Sequence, residues 1–73
     1  MRKMSIFSER LEKLRIDKKI SQVVAAKDLG IGIRAYQYYE NDEREPRMSV
    51  LVRMADYFDV SLDYLTGRVD TSD

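Results

Sequence analysis

The chain contains no cysteine and no histidine in its 73 residues. Disulfides are therefore excluded, together with thiolate or imidazole metal sites and the usual nucleophile–base pairs of covalent catalysis. A chain without cysteine fits the cytoplasm, the localisation expected here. Its apolar runs extend over only a few residues, too short for a membrane span or a signal-peptide core. Met1-Arg2-Lys3-Met4 accordingly reads as a frayed start and not as a targeting segment. Net charge is also missing: 13 Lys and Arg balance 13 Asp and Glu, which argues against a strongly basic protein that grips any nucleic acid by charge alone.

What is present points to a folded domain. With 44% hydrophobic and 36% charged residues the composition is globular, and the length suits one small domain near the lower limit for a single apolar core. The charges are polarised. Residues 1–20 carry seven Lys and Arg against three acids, residues 48–73 carry two against five, and 21–47 are close to neutral. A basic face for phosphate and ordinary solvated helix surfaces both account for that asymmetry.

Neither a repeat nor a low-complexity tract interrupts the chain, and its periodicity predicts five helices and no strand, an all-α fold. A first helix over about 5–18 aligns Phe7, Leu11 and Leu14 in one apolar stripe and turns Glu9, Arg10, Glu12 and Lys13 to water. Lys18 and Lys19 close it with the charge that suits a helix C-terminus. A second helix is expected over 22–29 and a third over 33–40, followed by a polar loop that ends at the only proline, Pro46. In a fourth helix, 48–58, Met48, Leu51, Met54, Ala55 and Phe58 fall at helical spacing. Ser61 caps a short fifth helix through Leu65, and Gly67 ends it. Residues 1–67 then form the domain and 68–73 a short disordered tail.

The segment 21–40 is the most informative. Ser21 is suited to cap a helix, and Ala25 and Ala26 are small enough for a second helix to cross close by. Leu29-Gly30-Ile31 supplies a buried anchor, a residue that tolerates positive φ at a helix end, and a second anchor. This is the pattern of a helix-turn-helix, whose second helix docks in the DNA major groove, although paired short helices also occur without DNA. Periodicity gives the third helix two faces. Tyr36, Tyr39 and Glu40 share one, where the tyrosines belong in the core with each hydroxyl reaching a partner at the surface. Ile33, Arg34, Gln37 and Tyr38 share the other. That second set suits base edges: Arg donates two hydrogen bonds to guanine, Gln pairs with adenine, and Ile meets a thymine methyl, while Tyr38 is placed to contact either a base edge or a phosphate. It is also compatible with Ile33 packing on a neighbour while Arg34 and Gln37 face water. Tyr57, Tyr64 and Leu62 either cover the fifth helix or join a self-association patch.

Taken together, Phe7-Ser8-Glu9-Arg10-Leu11, Leu14-Arg15, Ser21-Gln22, Ala26, Leu29-Gly30-Ile31, Tyr39-Glu40-Asn41, Pro46 and the run from Ala55 to Gly67 resemble the phage-repressor/Cro-type helix-turn-helix regulators. The resemblance spans about residues 6–67. It implies a five-helix, lambda-repressor-like DNA-binding domain with the second and third helices forming the helix-turn-helix. It places Ile33, Arg34, Gln37 and Tyr38 on bases, and Gln22, Asn41, Arg44 and Arg47 on phosphates, with Gln22 also bracing the reading helix. Arg15 and Glu40 take the positions of a partly buried ion pair joining the first helix to the third.

This chain departs from the family pattern in three places. Tyr36 stands where Ile or Val is usual, with Ala25 in place of the usual Leu. Gly32 replaces the usual Ser or Thr cap. Asp42, Glu43 and Glu45 put three acids in the loop that should meet phosphate. The implied function is sequence-specific binding of double-stranded DNA by a transcriptional regulator, a dimeric repressor on an inverted-repeat operator. With no further domain expected after Gly67, the dimer contact falls to Val52, Leu62 and Tyr64. The alternative is a protein-interaction module of the antitoxin or anti-repressor type. No enzyme activity, cofactor, metal, membrane partner or small-molecule ligand is expected.

Overall fold

A computed structural model describes residues 5–70 as five helices, among which no strand occurs: α1 (Ile6–Asp17), α2 (Gln22–Leu29), α3 (Ile33–Glu40), α4 (Met48–Phe58) and α5 (Leu62–Thr66). The expected starting segment 1–4 and the last residues of the expected tail, 71–73, lie outside the described residues. No described helix is long and apolar enough to cross a membrane.

Each helix boundary has a local cause. Ser5, Ser21 and Ser61 sit in extended backbone, and each hydroxyl accepts from an amide of the following first turn, Ser8, Val24 and Tyr64 respectively. At the far end of α2, Gly30 takes φ 74°, a left-handed conformation that a side chain resists. Its amide donates to the Lys27 carbonyl and the Ile31 amide to the Ala26 carbonyl, which closes the helix and turns the chain into α3. Gly67 ends α5 at φ 88°, and a Cβ there would lie 2.9 Å from a methyl carbon of Ile6. The α1–α5 contact thus also requires glycine.

The core joins all five helices through Leu11, Ala25, Ala26, Leu29, Tyr36, Val50, Met54, Ala55 and Leu65, with Phe7, Leu14, Ile31 and Tyr39 packed against it. Helix α3 packs on α1 and α2, while α4 and α5 close the opposite side. Ala25 and Tyr36 are both fully buried, so the large ring and the small residue coexist in one core. Two core expectations shift. Met48 is 64% exposed and Val50 is buried instead, because the buried residues of α4 are Val50, Met54 and Ala55, which leaves Met48 at the edge in the first turn. Arg10, expected in water, is half-buried with its guanidinium 4.1 Å from the Tyr64 ring centroid. It donates to the carbonyls of Tyr64 and Val69, and the Arg68 amide bonds Asp63, so the chain leaving α5 is tied back onto α1 as far as Val69.

Candidate nucleic-acid interface

The inward face of α3 is held by a chain of charged and amide groups. Arg15 on α1 grips Glu40 through Nε at 2.6 Å and Nη2 at 3.3 Å, and its Nη1 donates to the Ile20 carbonyl. Gln22, at the start of α2, donates from Nε2 to Glu40 Oε1 at 3.0 Å. Gln37, one turn before Glu40, donates to Gln22 Oε1 at 3.4 Å. The polarity of this chain follows from its acid end. A carboxylate only accepts, so Gln22 must present its amino group to Glu40 and its carbonyl oxygen to Gln37. Gln37 therefore spends one N–H inward and keeps the other, together with its carbonyl oxygen, for an outside partner.

Burial and bonding pull Glu40 in opposite directions. Burial alone raises its carboxyl, but the hydrogen bonds from Arg15 and Gln22 outweigh it and hold the group below the ordinary carboxylate value. Arg15 is raised correspondingly, chiefly by its bond to Glu40. The Tyr36 phenol lies against this pair and is pushed well up by burial. Its oxygen is nonetheless buried without a hydrogen bond of ordinary geometry, contrary to the expectation that it reaches a surface partner. The ring spans the core, which leaves its tip beneath the ion pair, short of solvent.

Outward, α3 presents Ile33, Arg34 and Gln37, all exposed, with Tyr38 half-buried at the C-terminal end of the same face. Gly32 caps the helix through its backbone alone. Asn41, Arg44 and Arg47 are exposed along the loop into α4, and the Arg44 guanidinium lies 4.6 Å from the centroid of Tyr38. Asp42 turns away from this surface: its carboxylate accepts from the Ser5 amide at 3.0 Å and lies 3.4 Å from the Ser8 hydroxyl oxygen, at the N-terminus of α1. One of the three loop acids is thus spent on a helix end that favours negative charge. Of the expected dimer contacts, Val52 is exposed and Leu62 and Tyr64 are half-buried, with the Tyr64 ring beneath Arg10.

Three residues outside the expected set build the site from behind. Ser8 is fully buried and donates to the Tyr39 carbonyl at 2.7 Å, tying α1 to the end of α3. Arg53 donates to the Leu29 carbonyl at 2.7 Å and so braces the α2–α3 turn from α4. Asp42 links the loop to α1. Ser8 carried a signal, since it lies in the run Phe7–Leu11 that marks the family. Arg53 carried none, its partner being 24 residues away.

The sequence profile of the helix-turn-helix family matches residues 11–65. The HTH-type transcriptional regulator YqaE of Bacillus subtilis is 47% identical over 60 residues, which cover 82% of this chain and 52% of that protein. The cryptic phage CTXphi transcriptional repressor RstR of Vibrio cholerae is 37% identical over 65 residues, covering 89% and 58%. Among solved structures, a transcriptional regulator from Listeria innocua superposes with a TM-score of 0.82 at 31% identity, over 92% of this chain and 63% of that one. The SOS-response repressor LexA from Eubacterium rectale gives 0.80 at 28%, over 84% and 65%. The chain spans about half the length of the curated relative it matches at 47% identity.

Proposed function

The chain belongs to the helix-turn-helix family, and from that premise we propose that it is a cytoplasmic, sequence-specific binder of double-stranded DNA that regulates transcription, as a dimeric repressor occupying an inverted-repeat operator. The observation that carries this reading is Gln37: a side chain with one N–H held inward by Gln22 and a donor and an acceptor left facing out. That free pair is what adenine N7 and N6 require. Arg34, exposed one turn earlier, supplies the bidentate donor for guanine, and Ile33 at the helix start meets a thymine methyl. Gln22, Asn41, Arg44 and Arg47 flank this face and contact phosphates, which position the helix without reading sequence.

An inverted repeat calls for two copies side by side, and the size of one copy supports this reading. The molecule measures 31 × 28 × 24 Å, comparable with the roughly 34 Å between half-sites one helical turn apart. The contact between copies is assigned to Val52, Leu62 and Tyr64, and repression is carried over from the relatives named as repressors. The family is a DNA-binding one and not an enzyme class.

A second reading, a protein-interaction module, draws on the exposed apolar side chains Val23, Val24 and Ile33, which base reading uses only in part. Selection of bound duplexes from a random pool by the parent chain and by Arg34→Ala separates the two. Enrichment of an inverted repeat, relaxed at one base position by the variant, is expected. No enrichment at low salt would transfer the assignment to a protein partner.

A further inference from the structure

Arg44 stands between acids, with Glu43 and Glu45 on either side and Asp42 close by in the chain. Yet among the described residues it forms no ion pair with any of them; its guanidinium lies over the ring of Tyr38, 4.6 Å from the centroid. Two features of the loop put it there. The Asp42 backbone adopts φ 61°, and its carboxylate is drawn onto the start of α1 by Ser5 and Ser8. The Glu43 amide then donates to the Tyr38 carbonyl at 2.9 Å, which folds the chain back against the end of α3 just before Arg44. A guanidinium over an aromatic ring is attracted by the ring's π face, and that contact uses none of its five N–H donors. Arg44 is thus held at the rim of the reading face, and among the described residues its guanidinium makes no hydrogen bond and no ion pair with the flanking carboxylates that would otherwise cancel its charge.

Resting on the DNA-binding reading above, we propose that Tyr38 is a positioning residue: its ring holds the Arg44 guanidinium against the phosphate backbone beside α3, and it acts on DNA through Arg44 without reading a base. Its place on the helix agrees. Tyr38 is half-buried at the end of α3, and one face of its ring is already covered by Arg44. The hydroxyl is not needed for this role; the ring is.

The test uses the full chain and the duplex it enriches from a random pool, with affinity measured across a salt series for Tyr38→Phe, Tyr38→Leu, Arg44→Ala, Arg44→Lys and Tyr38→Leu combined with Arg44→Ala. Melting temperature is followed for each. Tyr38→Phe should bind as the parent does. Tyr38→Leu, which keeps apolar bulk but loses the π face, should weaken binding about two- to five-fold with base preferences unchanged. Arg44→Lys, which keeps charge but not the planar stack, should fall as far. Arg44→Ala should weaken every duplex alike and reduce the log–log salt slope by about 0.9, one phosphate contact. On that background Tyr38→Leu should cost nothing more. Additive losses, or a base preference relaxed at one position by Tyr38→Phe, would overturn the proposal while leaving the DNA reading intact. A parent chain that binds no duplex would remove both.

Discussion

The two faces of α3 are made of similar residue types and are treated in opposite ways. Tyr36 and Glu40 point inward, are almost wholly buried, and sit in a lattice of fixed partners drawn from α1 and α2. Arg34 and Gln37 point outward, are exposed, and are anchored by at most one long hydrogen bond. A single eight-residue helix therefore carries the fold on one side and, in the function proposed above, recognition on the other. The inward side fixes the angle at which the outward side is presented, so the outward residues are free to change without disturbing the core. The Gln22 amide is the point at which the two sides meet.

The largest expected effect breaks the inward side. Arg15→Ala leaves Glu40 buried with no cation, and loss of one partner of a buried pair costs about 3–5 kcal/mol. Thermal unfolding followed by circular dichroism should show it, and DNA binding should fall in parallel because the helix loses its seat. Next in size, Arg34→Ala should cost about 1–3 kcal/mol in affinity for the selected duplex and relax one base position. Its melting temperature should stay close to the parent's, since exposed substitutions of this kind stay within about 0.5 kcal/mol. A comparable loss of stability would erase the distinction between the faces.

Acid should separate the faces as well. The Glu40 carboxyl is held below its ordinary value in the folded chain, so on acidification the unfolded chain takes up the proton first. The stability this group contributes is complete above the ordinary carboxylate value of 4.5 and is lost as pH falls through the lower folded value. Urea denaturation from neutral pH downwards should therefore show a decline below that value, and the decline should be shallower in Glu40→Gln. An unchanged profile in that variant would remove Glu40 as the acid-sensitive group. The smallest effect concerns Tyr36. Its hydroxyl has no hydrogen-bond partner of ordinary geometry, so Tyr36→Phe should be neutral or stabilising by up to about 1 kcal/mol in the same denaturation assay. A clear destabilisation would mean that the hydroxyl bonds the Glu40 carboxylate after all.

Much of this arrangement was legible in the sequence, for reasons that are local. The serine caps and the two left-handed glycines lie within a turn of the helix ends they define, and α2, α3 and α4 fall where periodicity puts them. The two faces of α3 follow from spacing alone. The Arg15–Glu40 pair was reached through the family resemblance and appears at 2.6 Å. What stayed illegible depends on contacts between distant segments. Arg53 reaches Leu29 across 24 residues, and Arg10 crosses 54 to the Tyr64 carbonyl, with nothing near either arginine to announce the partner. Asp42 read as an acid facing phosphate because its place in the loop is visible in sequence and its turn toward Ser5 is not. Tyr36 read as a tyrosine with a partner because buried hydroxyls usually have one.

The central claim is that fold and recognition occupy opposite faces of α3. The measurement that tests it most directly is made on the triple variant Ile33→Ala, Arg34→Ala, Gln37→Ala, with melting temperature and duplex selection recorded on the same preparation. The account predicts a melting temperature within a few degrees of the parent's and no enrichment of any sequence. A melting temperature depressed as far as that of Arg15→Ala, or enrichment of the parent's own duplex, would contradict it.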